Sequence, residues 1–222
     1  MTNTALYTKH HTENYVIYYP WFEEPFLTTY KAIRDYTVVK EDRCYIIEKM
    51  LRHTAFLNGH FAECGTYKGG TAYLIAKTAR ELEANKKLYL FDTFSGMPNL
   101  ANQDTSGHIE GDVGNTSLSA VQSYLKDFDT IEYVQGIIPE TFSQLDVNTF
   151  SFVHVDVDLY QTVKDCCDFF YNRLVTGGVL LFDDYGFRKY EFAAKKAVDE
   201  FFMNKSEVPI VLPTGQCLII KH

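Results

Sequence analysis

Most of the signals that would send a chain into a membrane, out of the cell or onto nucleic acid are missing from this sequence. No run approaches the roughly 18 apolar residues that a bilayer span requires. The opening stretch, Met1 to Asn14, is polar and carries His10 and His11 where a secretory signal would need an apolar core. No stripe rich in Lys and Arg is present, and a formal net charge of -8 would repel a phosphate backbone, so nucleic acid is not an expected partner. The five cysteines (Cys44, Cys64, Cys166, Cys167, Cys217) are odd in number and never spaced C-x-x-C, which argues against a disulfide framework and a zinc site. Repeats, low-complexity tracts and Gly/Pro/Ser-rich linkers are also absent. The expectation left standing is a single cytoplasmic domain that meets a small molecule and neither spans nor binds a membrane. With 222 residues, 46% of them apolar, the chain is long enough to bury a large core.

Aromatic residues crowd the first forty positions, where Tyr15, Tyr18, Tyr19, Trp21, Phe22, Phe26, Tyr30 and Tyr36 follow no clean period. Such a segment can cover a pocket, meet a second copy in a homodimer, or form a layer packed on the core. We therefore separate residues 1–40 from a main domain at 41–222. From Glu41, the residues Ile47, Met50, Leu51, Thr54 and Leu57 recur at helical intervals until Asn58-Gly59 ends the pattern. Strands are then expected over His60 to Cys64, Lys87 to Phe94, Ile131 to Gln135, Phe150 to Asp158 and Val179 to Asp183. Helices are expected between them, over Thr71 to Ala84, Ser117 to Lys126, Tyr160 to Leu174 and Tyr190 to Asn204. This alternation predicts an α/β fold, a mostly parallel sheet with helices on both faces. In the tail, Ile210-Val211-Leu212 and Cys217-Leu218-Ile219-Ile220 are separated by only Pro213-Thr214-Gly215-Gln216, which demands an antiparallel hairpin.

Ligands of such sheets bind beyond the carboxyl ends of the strands, and here those ends are acidic. The first runs Glu63-Cys64-Gly65-Thr66-Tyr67-Lys68-Gly69-Gly70-Thr71, a strand entering a Gly-rich turn and then a helix. A dinucleotide fingerprint needs a second glycine where this chain has Tyr67, and no P-loop Gly-Lys-Ser/Thr follows. S-adenosylmethionine suits the turn better: its carboxylate can meet helix amides, and its sulfonium tolerates a nearby acid such as Glu63. Asp92 ends the next strand, twenty-two residues beyond Gly70, at the interval where such folds place a ribose-binding acid. A plain tight turn would explain the glycines alone but not their pairing with Asp92.

The second acidic end is His154-Val155-Asp156-Val157-Asp158, whose alternation would place His154, Asp156 and Asp158 on one face of a regular strand. The neighbouring strand closes on Asp183-Asp184. Brought together, these carboxylates would repel one another, and a hard divalent cation such as Mg2+ would relieve the repulsion. Asp156, Asp183 and Asp184 are the expected ligands. Asp158, just before a helix, reads as its cap, and His154 reads as a hydrogen-bonded core residue outside the metal shell.

Five stretches in this order resemble the macrocin O-methyltransferase family: Glu63 to Gly70, Phe91-Asp92-Thr93-Phe94-Ser95-Gly96-Met97-Pro98, His154 to Tyr160, Gly177-Gly178 with Asp183-Asp184-Tyr185-Gly186, and Pro213 to Gln216. The resemblance runs from about Tyr36 to the end of the chain. It implies a Rossmann-like class I methyltransferase fold whose seven-stranded sheet ends in the antiparallel hairpin. It also implies S-adenosylmethionine at Glu63, Gly65, Thr66, Tyr67, Gly69, Gly70, Thr71 and Asp92, with Asp112 near the adenine, and Mg2+ at Asp156, Asp183 and Asp184. Asp156 would double as general base. The chain departs from the pattern at Arg188-Lys189-Tyr190-Glu191, where a Cys-Pro-Gly-like turn is expected, and in its aromatic N-terminal segment. Asn99 to Asn115, a polar stretch with His108 and Asp112, reads either as a lid or as an ordinary loop.

The leading expectation is methylation of a hydroxyl, a sugar hydroxyl first, on a small natural product. A catechol- or phenol-type enzyme is the nearer alternative, disfavoured because distantly similar families carry a Lys just after the first metal-binding Asp, where this chain has Leu159 and Tyr160. A subunit that only binds S-adenosylmethionine is the other, and the converging carboxylates speak against it.

Overall fold

Alternating short strands and amphipathic helices give a computed structural model that describes residues 7–9, 16–98, 107, 109–146 and 149–222. Strands β1 (Tyr7–Lys9) and β2 (Val16–Tyr18) pair only with each other, as an antiparallel ribbon. The main sheet contains β3 (His60–Cys64), β4 (Leu88–Asp92), β5 (Ile131–Gln135), β6 (Phe150–Val155), β7 (Leu174–Phe182), β8 (Ile210–Val211) and β9 (Cys217–Ile220). Its order is β5-β4-β3-β6-β7-β9-β8; β3 to β7 run parallel, and β9 is antiparallel to both β7 and β8. The expected seven-stranded, mostly parallel sheet with a terminal hairpin is the one found. Strand order reverses between the neighbours β3 and β6, which makes the crevice beyond their carboxyl ends the natural ligand site.

Among the described residues, six α-helices cover the sheet: α1 (Phe26–Ile33), α2 (Glu41–Thr54), α3 (Gly70–Glu81), α4 (Leu118–Tyr124), α5 (Tyr160–Tyr171) and α6 (Lys196–Phe202). Because side chains alternate along a strand, each strand feeds two cores. Ala62, Cys64, Val153, Val155 and Phe182 pack with α5 and α6, whereas Phe61, Phe152 and Leu181 pack with α2 and α3. Central β6 is buried along its whole length.

Several element bounds differ from expectation, three of them for instructive local reasons. β6 stops at Val155, not Asp158, because Asp158 adopts a left-handed conformation with φ +59° that no strand tolerates. β7 starts at Leu174, and its first half was hidden from a reading of the sequence by Gly177-Gly178. The helix expected over Tyr190 to Asn204 is a 3-10 turn (Arg188–Tyr190), a π turn (Glu191–Lys195) and then α6. In the aromatic segment, Phe26 and Ile33 of α1 are buried in the core formed with α2 and α3, and Tyr36 stacks on Tyr124 with ring centroids 3.9 Å apart. Tyr15 lies outside the described residues. No helix of the described residues is long and apolar enough to cross a membrane.

Candidate active site

At the reversal point, β3 and β6 converge until their ends touch. The amide of Asp156 donates to the Cys64 carbonyl at 2.8 Å, and the Gly65 amide to the Phe91 carbonyl at 2.9 Å. Gly65 has φ +87°, and a Cβ there would lie 1.8 Å from the Asp156 carbonyl oxygen. Only glycine permits this approach, which joins the Gly-rich turn to the second acidic strand end.

A cleft opens over this junction, lined by Gly65, Tyr67 and Asp92 on one side and Asp156, Asp158 and Thr162 on the other. Glu63, Thr66, Gly69, Gly70 and Thr71 form the turn and helix start behind it. Asp92 organises that turn: its Oδ2 accepts from the Thr66 amide at 2.6 Å and the Tyr67 amide at 2.9 Å, while Oδ1 accepts from the Phe94 amide at 2.7 Å. Tyr67, held at φ +52°, is strapped to the following loop by its hydroxyl, which donates to Asn115 Oδ1 at 2.8 Å, and by its carbonyl, which accepts from Thr116 Oγ1 at 2.7 Å. Of the loop read as a lid, residues 99–106 and His108 lie outside the described residues. Asp112, expected near the adenine, accepts from the Ile109 amide through its Oδ2 at 3.1 Å. Its neighbour Val113 lines the cleft, together with Met97, Ile137 and Ile138. These apolar residues escaped a reading of the sequence because nothing marks a loop Ile or Val as a wall.

Asp156 and Asp158 line the cleft, and the acids around them fall into two sets that share Asp156. His154, Asp156 and Asp183 offer ligand atoms within 4.8 Å of one another, and so do Asp156, Asp158 and Asp184. Asp183 and Asp184 differ in their surroundings. Asp183 follows Leu181 toward the α2 side and is fully buried in an ion pair with Arg43. Its Oδ1 also accepts from Gln216 Nε2 at 2.8 Å and lies 3.5 Å from His154 Nε2. His154 Nδ1 lies 3.0 Å from Glu63 Oε1, so a chain of buried groups runs from β3 through β6 to β7. His154 is thus the hydrogen-bonded core residue expected of it. Arg43 was missed, since one Arg in the first turn of α2 carries no mark of a partner 140 positions away.

The second set has less compensation. Burial pushes the Asp184 carboxyl well above its ordinary range, and the charges of Asp156 and Asp158 push it further. Asp156 is raised by burial too, with the charge of Asp158 adding to the effect and His154 opposing it. Asp184 Oδ2 is buried and has no hydrogen-bond partner. Asp158 does not cap α5, as the sequence suggested: the capping position is Leu159 and no side chain bonds there, because the left-handed turn at Asp158 aims its carboxylate elsewhere. These surroundings fit a divalent cation, which would satisfy the orphaned oxygen and offset the repulsion. Glu63 shows a matching feature on the cofactor side, where Oε2 is fully buried without a partner and burial raises the carboxyl.

The macrocin-O-methyltransferase (TylF) family profile matches residues 32–211. Demethyldecarbamoylnovobiocin O-methyltransferase of Streptomyces niveus is 23% identical over 154 residues, or 64% of this chain and 58% of that protein. The 8-demethyl-8-(2,3-dimethoxy-alpha-L-rhamnosyl)-tetracenomycin-C 4'-O-methyltransferase of Streptomyces olivaceus is 22% identical over 138 residues, covering 57% of this chain and 53% of its own length. Both matches thus span little more than half of the relative. Among solved structures, the O-methyltransferase NovP superposes with a TM-score of 0.74 at 19% identity, covering 84% of this chain and 82% of NovP. That likeness establishes the class I methyltransferase architecture for the sheet described above. With the family profile spanning most of its length, the chain belongs to the macrocin O-methyltransferase family.

Proposed function

We propose that this protein is an S-adenosylmethionine-dependent O-methyltransferase acting on a hydroxyl, in the first place a sugar hydroxyl, of a small natural product. The observation that carries the reading is the convergence of Asp156, Asp158 and Asp184, of which Asp156 and Asp158 line the same cleft as Gly65 and Tyr67. When bound, S-adenosylmethionine supplies an electrophilic methyl carbon, and a divalent cation such as Mg2+ supplies positive charge that favours a developing alkoxide. The residues do the rest. Asp92 takes the amides of Thr66 and Tyr67 and so fixes the turn that leads into α3, whose start can meet a carboxylate. Asp92 keeps acceptor capacity for ribose hydroxyls, the unpartnered Glu63 Oε2 suits a cationic amino group, and Met97, Val113 and Ile137 form an apolar slot for an adenine ring. Asp112 serves this slot indirectly, by holding the turn that carries Val113.

Asp156, Asp184 and Asp158 hold the cation in this reading. Asp183, expected from the sequence as a ligand, joins them where Arg43 yields its oxygen. Asp156 takes the proton of the acceptor hydroxyl as general base. Five cysteines, all buried and unpaired, suit a reducing, cytoplasmic setting.

Titration calorimetry with S-adenosylhomocysteine, with and without Mg2+, followed by a labelled-methyl assay against a panel of glycosylated and phenolic acceptors, tests the reading. Asp156→Asn is expected to keep cofactor binding while losing about 10²- to 10⁴-fold in turnover. EDTA is expected to abolish turnover and Mg2+ to restore it. Full turnover after verified metal removal would overturn the metal, methylation confined to phenols would overturn the acceptor, and binding without any turnover would favour a non-catalytic subunit.

A further inference from the structure

Four residues beyond Asp184 the chain enters the stretch Arg188-Lys189-Tyr190-Glu191. The backbone is irregular there, a 3-10 turn followed by the π turn Glu191–Lys195. A π turn inserts an extra residue per turn and re-aims the side chains around it, and such turns concentrate at functional sites. Here the residue brought to the acids is Tyr190. It is half-buried, its phenol is hydrogen-bonded with the Asp158 carboxylate, and Asp156 and Asp184 lie close enough for their charges to act on it. Between a phenol and a carboxylate, the phenol donates.

Asp158 is an unusual partner for a tyrosine that only fills space. It holds φ +59°, a conformation that costs a residue with a side chain about 1–2 kcal/mol. It gains no helix cap in return, since the start of α5 receives no side-chain bond. Strain retained without a local structural reward marks a group whose direction matters. The carboxylate of Asp158 also converges with those of Asp156 and Asp184. Its orientation is therefore fixed by the left-handed backbone at its root and by the Tyr190 hydroxyl at its tip.

We propose that Tyr190 is a positioning residue: its hydroxyl aims the Asp158 carboxylate at the divalent cation that Asp156, Asp158 and Asp184 converge on. The inference rests on the metal reading given above and extends it to a residue outside the acid cluster.

The test is a titration of Mn2+, followed by electron paramagnetic resonance of the free ion, in the presence of S-adenosylhomocysteine. It compares the wild type, Tyr190→Phe, Asp158→Asn and the double variant. Tyr190→Phe is expected to weaken Mn2+ binding about tenfold or more, the usual consequence of removing a partner that orients a ligand, with cofactor affinity and Tm at wild-type values. Asp158→Asn is expected to weaken binding at least as much, and Tyr190→Phe to add nothing in that background, because the phenol acts only through the carboxylate. Wild-type Mn2+ affinity in Tyr190→Phe, additive losses in the double variant, or a parallel fall in cofactor affinity and Tm would each overturn the proposal while leaving the metal reading intact. A wild type that binds no Mn2+ would defeat the metal reading, and this proposal with it.

Discussion

Replacing Gly65 by alanine should damage the cofactor turn and the acid cluster together, because one atom of the new side chain falls where the two meet. The added Cβ would sit 1.8 Å from the Asp156 carbonyl oxygen and 2.8 Å from its carbonyl carbon, both backbone atoms that no rotamer change can move. Two costs add. Holding alanine at φ +87° costs about 1–2 kcal/mol, and separating two packed strand ends falls at the upper end of the roughly 1–3 kcal/mol typical of overpacking. A total of about 3–5 kcal/mol is a large share of the roughly 5–15 kcal/mol that holds a domain folded. At about 2–4 °C per kcal/mol for a chain of this size, Tm should fall by roughly 6–20 °C. Gly111 supplies the control: its φ is +86°, and a Cβ there meets nothing within 4 Å. Gly111→Ala therefore carries the conformational cost alone, and the difference between the two variants in thermal unfolding isolates the collision. Calorimetry with S-adenosylhomocysteine, then Mn2+, should show both ligands weakened in Gly65→Ala and neither in Gly111→Ala. Equal Tm values for the two variants, or a Gly65→Ala protein that binds both ligands normally, would refute the idea that this contact couples the two halves of the site.

Two further outcomes follow from particular bonds. Asp92→Asn must turn an amide NH2 toward at least one of the three backbone N–H groups its carboxylate now serves, a loss of about 1.5–3 kcal/mol and roughly ten- to hundred-fold in S-adenosylhomocysteine affinity; competition by NADH that is tighter than the cofactor's own binding would show the site misassigned. Glu207 is buried, which alone would raise its carboxyl, but bonds from Lys221 Nζ at 2.9 Å, the Tyr171 hydroxyl at 2.7 Å and the His222 amide at 3.4 Å outweigh burial and lower it. A carboxyl lower in the folded than in the unfolded chain stabilises above the unfolded value of about 4.3 and loses that contribution as pH falls toward the folded value. Urea midpoints should therefore separate wild type from Glu207→Gln at pH 7 and converge as the pH is lowered below about 4; a gap independent of pH would mean that packing, not charge, is at work.

The fold was legible because its signals are local. Strand-helix alternation, the acidic strand ends and the hairpin forced by Pro213 to Gln216 each reside in a few consecutive residues, and the sheet reproduces them. The site was legible only where it coincides with strand ends. Its misread parts share one cause, a backbone that leaves regular geometry. The alternation that would put His154, Asp156 and Asp158 on one face ends at Val155, and the left-handed turn at Asp158 converts an expected helix cap into a member of the acid cluster. Partners supplied by distant segments, Arg43 for Asp183 and Ile137 for the cleft, leave no local trace in a sequence.

The division of labour among the acids follows from strand geometry more than from their spacing in the chain. Period two sends Glu63, His154 and Asp183 to the α2 side of the sheet, where they meet one another and Arg43. There the positive charge is built in, and Gln216 completes the hydrogen bonds, which gives the Pro213 to Gln216 link a role beyond turning the chain. Asp184, one residue later, falls to the opposite side among Asp156 and Asp158. Among the described residues neither Asp156 nor Asp184 forms an ion pair, and Asp184 retains an unpartnered buried oxygen. A protein that needed these carboxylates only for stability would gain by neutralising both sides alike, since a buried charge without a counterion is costly. Fuller compensation on one side than on the other is the asymmetry that the proposed cation would remove.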